Sequence, residues 1–251
     1  MRIVVCIKQV AALGDDVEFT PDGRAVDPDY LDFALNEWDT YSIEEAVSLR
    51  GASGSGDVIA VCVGDATADA ALVRCLATGA DRAVRIWSDE LEGADPIRVA
   101  RALARVVGPL GADLVLCGAQ SADSVQGATG TALAALLGLP VVAVVRALEL
   151  QSGSALVHRE LEGGVVDVVG VPLPALLTIQ TGINEPRYVT LRAMQAAQQQ
   201  EIELVEPGSL GEPAYRIRRM LVPVVEKAEL IAGGPAEVAR RIAELVREAS
   251  R

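Results

Sequence analysis

Short apolar runs that alternate with stretches of helical spacing constrain the fold of this chain more than any other feature. Five runs rich in Val, Ile and Leu precede residue 146: RIVVCIK, DVIAVCVG, RAVRIW, DLVLCG and PVVAVV. The segments between them place apolar residues every three or four positions, as in DTYSIEEAVSLR and VQGATGTALAALLG. Strands that are apolar throughout are typical of a parallel sheet with helices on both faces. The sequence therefore predicts an α/β fold.

The composition supports this fold class and excludes several kinds of partner. Apolar residues make up 51% of the chain but aromatic residues only 3%, which favours α/β layers over an aromatic-rich β-sandwich. The net charge of −13 makes the surface a poor partner for nucleic acid or an anionic membrane. No apolar run approaches the ~20 residues of a transmembrane helix, and the start, MRIVVCIKQV, is too strand-like for a signal peptide. We therefore expect a cytoplasmic protein without membrane insertion.

Asp95 and Pro96 mark the start of one predicted helix, DPIRVARALARVVGPL. An Asp side chain can accept hydrogen bonds from the free N–H groups of the first helical turn. Pro suits the first helical position because it has no N–H of its own. The sequence therefore predicts that Asp95 is the N-cap of this helix.

The sequence pattern changes after Val145. From residue 146 to 181, short runs are broken by Ser-Gly and Gly-Gly pairs, which predicts antiparallel hairpins that extend the same sheet. From Glu201 the chain loses regular periodicity but keeps too many apolar residues to be disordered. We therefore expect an α/β domain over residues 1–200 and a C-terminal arm over residues 201–251, which lies on its own core or on a partner.

Residue types that commonly serve catalysis or metal binding are sparse. Four cysteines are present: Cys6, Cys62, Cys75 and Cys117. None forms a C-x-x-C pair, and all are predicted to be buried reduced thiols. His158 is the only histidine, and Glu44 and Glu45 are interpreted as a solvated helix face rather than a catalytic pair. We therefore expect no metal site, no catalytic residue and no self-contained enzyme.

A loop of small and polar residues, 118–129, joins the strand DLVLCG to the next helix. In an open parallel sheet, ligands bind outside the carboxyl ends of the strands, and a helix N-terminus attracts phosphate. The loop matches neither G-x-x-x-x-G-K-[ST] nor G-x-G-x-x-G. Two interpretations stay open: a nucleotide or other phosphate-bearing ligand binds here, or the small residues only allow the helix to pack.

Seven segments carry a resemblance to a known family: IVVCIKQV, LNEWDTYSIEEAVSLR, VIAVCVG, LATGADRAV, RELEGG, LPALLTI and INEPRYVTLRAM. In this order they resemble the electron transfer flavoprotein beta subunit, and the Asn-Glu-Pro-Arg-Tyr motif is highly specific. The resemblance covers nearly the whole chain and is weakest beyond Pro207.

This resemblance implies a Rossmann-like α/β domain with a C-terminal arm that wraps around an alpha subunit. The alpha subunit of the family carries the redox-active FAD, which the beta subunit helps to enclose. The heterodimer carries electrons between a flavin dehydrogenase and an acceptor such as a quinone oxidoreductase. The beta subunit of most members buries one AMP, whereas in electron-bifurcating members a second FAD occupies that pocket.

The resemblance also implies site residues, carried over position by position. Those implied for the nucleotide are Cys6, Asn36, Glu37, Trp38, Asp39, Ala60, Gly118, Ala119, Gln120, Ser121, Ala122, Asp123, Ser124, Val125, Gln126, Gly127, Ala128 and Thr129. Those implied for docking of a dehydrogenase are Pro186, Arg187, Tyr188, Leu191 and Met194.

The loop sequence ADSVQGATG differs from both loop types of the family. Thr129 and Gly130 match the AMP type, whereas Ser124 and Val125 stand where the bifurcating type has its second acidic residue. The resemblance therefore favours AMP over a second FAD.

Overall fold

The structure is a computed structural model that describes residues 1–13, 18–27, 31–222 and 230–249. Its strands are β1 (Arg2–Ile7), β2 (Gln9–Leu13), β3 (Leu31–Leu35), β4 (Asp57–Val63), β5 (Arg82–Ile86), β6 (Leu114–Gly118), β7 (Val141–Gln151), β8 (Ser154–Glu160), β9 (Val166–Pro172), β10 (Ala175–Ile179) and β11 (Ile202–Val205). Its α-helices are α1 (Glu37–Ser53), α2 (Asp69–Thr78), α3 (Pro96–Leu110), α4 (Thr129–Leu137), α5 (Leu191–Ala197) and α6 (Pro235–Ala249).

Nine of these strands form one sheet in the order β11-β5-β4-β1-β6-β10-β7-β8-β9. Neighbours from β11 to β7 are parallel, and β7, β8 and β9 are antiparallel. The predicted parallel α/β sheet with an antiparallel extension is therefore confirmed. The separate β2–β3 hairpin was not predicted.

Both faces of the sheet are covered, as the continuous apolar strands require. Successive residues of a strand point to opposite faces. In β1, Ile3 belongs to a buried cluster that includes residues of α1 and α2, whereas Val4 belongs to a second cluster that includes residues of α3 and α4. A strand with an apolar helix layer on each side has no solvated face, so its sequence does not alternate. The four cysteines are free and buried, as predicted.

The run LPALLTI was wrongly grouped with the antiparallel hairpins. The structure inserts β10 between β6 and β7, parallel to both. All five residues of β10 are buried. The physical reason is that this run is apolar at every position but one, as suits a central strand, whereas the neighbouring hairpin strands alternate.

The start of the predicted arm belongs to the sheet. The boundary after residue 200 assigns β11 to the arm, but the structure pairs β11 with β5 at the sheet edge. Leu210 is only 1% exposed, so the chain is still packed on the domain at this residue. Residues 223–229 and 250–251 of the predicted arm lie outside the described residues. No described helix is long and apolar enough to cross a membrane.

Candidate functional site

A cavity of about 410 Å³ lies at the carboxyl ends of β1 and β6, next to the loop 118–128. Cys6 and Cys117, which pair in the two neighbouring strands, line it. Val99 and Leu103 of α3 add an apolar wall, and the loop adds polar groups. The cavity thus combines an apolar surface with a row of donors and acceptors, the usual make-up of a small-ligand pocket.

The structure brings most of the residues implied for the nucleotide together around this cavity. The lining includes Cys6, Asn36, Asp39, Gly118, Ala119, Gln120, Ser121, Asp123, Ser124, Gln126, Gly127, Ala128 and Thr129. They come from a strand end, a helix start and one loop, so the chain assembles them from three separate segments.

Five implied residues lie outside the lining: Glu37, Trp38, Ala60, Ala122 and Val125. Ala60 is fully buried within β4, and Val125 is 60% exposed on the loop surface. Trp38 donates from its indole Nε1 to the side chain of Gln180 at 2.8 Å. Their placement is that of packing or surface residues beside the cavity.

Other lining residues lie outside the set implied for the nucleotide: Ile7, Lys8, Val63, Gly93, Ala94, Pro96, Val99, Leu103, Cys117, Gly130, Tyr215 and Ile217. Many of them are apolar and lack any motif. Gly130, at the second position of α4, is the exception, because the match to the AMP-type loop had already included it. A Cβ there would lie 2.9 Å from Thr178 Cγ2, so close packing of α4 on β10 requires glycine.

Asn36 holds the loop from the start of α1. Its side chain is 1% exposed. The amide Nδ2 donates to the carbonyl oxygen of Gln120 at 2.9 Å, and Oδ1 accepts from the N–H of Ala122 at 3.2 Å. Because both ends of one buried amide are satisfied by loop backbone, the loop has a fixed position relative to α1.

Asp39 lies under the loop and is 3% exposed. Its carboxylate accepts from the N–H of Lys8 at 2.7 Å and from the N–H of Gly118 at 2.9 Å. Burial raises the pKa of Asp39 to about 7, although these two amides act to lower it. A Cβ on Gly118 would lie 2.7 Å from Trp38 Cβ, so the carboxylate can approach β6 only because residue 118 is glycine.

Lys8 pairs with the acidic residue of the loop. Its Nζ lies 2.6 Å from Asp123 Oδ1, 3.3 Å from Ser121 Oγ and 3.4 Å from Ser124 Oγ. Burial acts to raise the pKa of Asp123, but the hydrogen bonds from Lys8 and Ser121 and the charge of Lys8 together outweigh it and the pKa is lowered. The pair places a cation beside the one carboxylate of the loop, which reduces the repulsion that an anionic ligand would meet.

The end of the loop presents backbone donors. Gly127 has φ of +57°, a conformation that glycine adopts without strain. Ala128, the N-cap of α4, offers no side-chain hydrogen bond to the first turn. The N–H groups that start α4 are therefore not capped by this side chain, and the helix dipole adds a partial positive charge. An anionic group of a ligand is favoured here.

A second surface feature is the segment 184–194, which contains the residues implied for docking. Tyr188 is 90% exposed and Leu191 is 74% exposed. The base of the segment is fixed, because Asn184 Nδ2 donates to the carbonyl oxygen of Tyr41 at 3.0 Å and to Glu45 Oε2 at 2.9 Å. Pro186 and Met194 are half-buried.

Arg187 joins this segment to α1. Its N–H and Nε donate to Glu44 Oε2 at 3.1 and 2.8 Å, and its Nη2 donates to Glu44 Oε1 at 2.7 Å. The prediction that Glu44 and Glu45 form a solvated helix face is therefore wrong. Glu44 is 6% exposed. Burial acts to raise the pKa of Glu44, but the bonds from Arg187 outweigh it and the pKa is lowered.

The sequence of this chain is similar to those of known proteins. The electron transfer flavoprotein domain matches residues 25–210. The chain is 41% identical to electron transfer flavoprotein subunit beta of Methylophilus methylotrophus, over 99% of this chain and 98% of the relative. It belongs to the electron transfer flavoprotein beta-subunit family. The human subunit beta is 33% identical over 84% of this chain and 83% of its own length, and that of Bacillus subtilis is 34% identical over 88% and 89%.

Membership in the electron transfer flavoprotein family assigns the chain to flavin-linked electron transfer.

The cavity fits a nucleotide. The volume of the cavity lies within the range of roughly 300–1,000 Å³ that is typical of small-ligand pockets. The apolar wall suits a base, and the loop and the start of α4 suit a phosphate. The residues present therefore fit an adenine nucleotide.

Proposed function

We propose that this chain is the beta subunit of a heterodimeric electron transfer flavoprotein, carrying electrons from flavin dehydrogenases to an acceptor such as a quinone oxidoreductase. When bound, FAD supplies the redox chemistry, and it is held mainly by the alpha subunit. The beta subunit helps to enclose that FAD, holds a structural AMP and offers a docking surface. Family membership over nearly the full chain supports this role.

The observation that carries the nucleotide proposal is the cavity between α3 and the loop 118–128. AMP has one base, one ribose and one phosphate, which match one apolar wall, one polar loop and one helix start. The pairing of Lys8 with Asp123 leaves the loop without an uncompensated carboxylate. We propose AMP rather than a second FAD, because Thr129 and Gly130 match the AMP-type loop.

The arm supports the heterodimer. Helix α6 has an amphipathic sequence but buries none of its residues against the described part of this chain. Ile242 and Val246 are 50% and 59% exposed. An apolar stripe on a helix at the end of the chain is a surface that a partner covers. We propose that α6 packs on the alpha subunit.

The segment 184–194 supports the docking role. Tyr188 and Leu191 present a large aromatic and an aliphatic side chain to solvent on a base that Arg187 and Asn184 fix to α1. A rigid support lowers the entropy that a partner must overcome when it binds. We propose that these two side chains contact the dehydrogenase.

Ligand content tests the proposed function directly. The complex with its alpha subunit is purified and denatured, and the released ligands are quantified by mass spectrometry. We expect one AMP and one FAD per heterodimer. Two FAD and no AMP would replace our proposal by that of a bifurcating subunit. Absence of any nucleotide would contradict both.

A pair of glycine variants tests the location of the AMP. Gly127 and Gly138 both have positive φ, so a leucine strains the backbone at either position. Gly127 lines the cavity, whereas a Cβ on Gly138 meets no atom within 4 Å. Gly127→Leu should lower the AMP content of the complex, and Gly138→Leu should retain it. Equal AMP content in both variants would place the ligand elsewhere.

A further inference from the structure

The C-terminal part of the chain returns across the cavity. We call residues 210–217 the strap. Leu210 is buried, and its carbonyl oxygen accepts from Arg101 Nη1 at 2.7 Å. The N–H of Ala214 donates to Asp95 Oδ2 at 2.7 Å. The strap is therefore anchored on α3, along one wall of the cavity.

Beyond these anchors the strap faces the cavity with alternate side chains. Tyr215 and Ile217 line the cavity, whereas Arg216 between them does not. This spacing is that of an extended segment with one face on the cavity. The strap thus adds two large side chains that the residues implied by the family do not include.

Tyr215 also reaches the opposite side of the cavity. Its hydroxyl accepts from Gln126 Nε2 at 2.8 Å and lies 3.3 Å from Gln126 Oε1. Gln126 belongs to the polar loop, and Asp95, which holds the strap, caps α3. The Tyr215–Gln126 pair therefore connects the strap, which is anchored at α3, to the loop on the opposite side of the cavity.

We infer that Tyr215 is a further nucleotide-binding residue and that the strap is the lid of the cavity, latched by the Tyr215–Gln126 hydrogen bonds. The inference rests on the proposed function, since the ligand that it retains is the proposed AMP. AMP enters and leaves when the latch opens while the anchors on α3 stay in place.

The exposure of its side chains fits a lid rather than a core segment. Tyr215 is 47% exposed and Ile217 is 45% exposed, in contrast to Leu210 at 1%. Moving the two half-exposed side chains outward therefore gives up far less buried surface than moving the anchor. Gly211, directly after Leu210, has φ of +70°. Glycine adopts this conformation without strain, so the chain can turn between the two anchors.

Exchange of bound AMP tests the latch in the purified heterodimer. The complex is loaded with isotope-labelled AMP, excess unlabelled AMP is added, and label loss is followed by mass spectrometry. Tyr215→Phe keeps the ring and removes the hydroxyl, so we expect exchange about fivefold faster, the effect of one neutral hydrogen bond. Tyr215→Ala also removes the ring, so we expect exchange more than about tenfold faster than in the wild type. Arg216→Ala, the neighbour that does not line the cavity, should exchange at the wild-type rate.

A double-mutant cycle shows whether the two latch residues act together. Gln126→Ala should speed exchange as Tyr215→Phe does, and the double variant should be no faster than the faster single variant. Wild-type rates in both Tyr215 variants, with AMP present in the wild type, would overturn the lid and leave the proposed function intact. A wild-type complex without any nucleotide would overturn both. Since Tyr215→Phe removes one exposed hydroxyl only, its result stands even where Tyr215→Ala fails to assemble.

Discussion

Asp39→Asn tests whether the buried carboxyl under the cavity controls stability near neutral pH. Asp39 is 3% exposed and accepts hydrogen bonds from two backbone N–H groups. Asn has nearly the same shape but does not titrate. It has one acceptor oxygen where Asp has two, which adds a pH-independent penalty. The pH dependence of the difference between the two proteins therefore isolates the titration of Asp39.

The magnitude follows from the pKa. Burial raises the pKa of Asp39 from 3.8 to about 7. Between these values the folded state keeps a proton that the unfolded state releases, so stability is full below the lower pKa and is lost as pH rises through the upper one. At about 1.4 kcal/mol per pH unit, the contribution of Asp39 to the free energy of unfolding falls by about 2.5 kcal/mol from pH 5 to pH 8. The Asp39→Asn variant lacks this slope.

Urea unfolding at pH 5, 6, 7 and 8 measures the effect, with Trp38 beside Asp39 as the fluorescent reporter. We expect the advantage of the wild type over Asp39→Asn to shrink by that amount as pH rises. Glu37→Gln, an exposed change in the same helical turn, is the control and should run parallel to the wild type. If the free energy of unfolding of Asp39→Asn changes with pH in parallel with that of the wild type, Asp39 keeps an ordinary pKa and the argument is refuted.

Three further predictions concern the surfaces around the cavity. Arg187→Ala leaves Glu44 buried without its cation. Because Arg187 is 45% exposed and its charge is partly screened by solvent, we expect the free energy of unfolding to fall by only about 1–2 kcal/mol, with faster amide exchange in the segment 184–194. Leu191→Ala should weaken electron transfer with a cognate dehydrogenase about tenfold and leave FAD content unchanged. Asp95→Ala removes the cap of α3 and the acceptor for the N–H of Ala214, and it should lower the free energy of unfolding by about 2 kcal/mol at neutral pH. Burial acts to raise the pKa of Asp95, but the N–H bonds outweigh it and the pKa is lowered, so this difference should begin to shrink below about pH 4 and be lost as pH falls through the lowered pKa of the folded state.

Each of these results has a clear contrary outcome. Unchanged amide exchange in Arg187→Ala would mean that the backbone N–H bond to Glu44 and the bonds of Asn184 fix the segment without the guanidinium. Loss of folding in Leu191→Ala would make Leu191 a core residue and end its docking role. A stability difference in Asp95→Ala that stays constant as pH falls below about 4 would show that the carboxylate charge is not its source. Chemical denaturation measures the stability of Arg187→Ala and Asp95→Ala, and amide exchange follows the segment 184–194 in Arg187→Ala. Steady-state kinetics of the complex measure electron transfer in Leu191→Ala.

The parallel sheet was predictable because local patterns decide it. Runs such as DVIAVCVG are apolar at nearly every position, and Asp95 caps α3 as predicted, with Oδ1 accepting from the N–H groups of Ile97 and Arg98. The β10 strand was placed wrongly because its sequence neighbours are hairpin strands, and the order of strands in a sheet is not a local property.

The ionic contacts were not predictable from local patterns. Glu44 was interpreted as solvated because its partner Arg187 lies 143 residues away in the sequence. Lys8 and Asp123 are separated by 115 residues, and Gln126 and Tyr215 by 89. Two residues that pair over such a separation produce no periodic pattern in the sequence, since neither partner determines the types of the residues next to it.

Helix α1 links the two surfaces that the chain needs for its proposed role. Its N-terminal end carries Asn36 and Asp39, which hold the loop beside the cavity. Glu44 and Glu45, five and six residues beyond Asp39, hold the segment 184–194. At about 1.5 Å per residue, this spacing is less than about 10 Å of one rigid helix. The cavity loop and the exposed Tyr188 and Leu191 are therefore positioned by the same short stretch of helix.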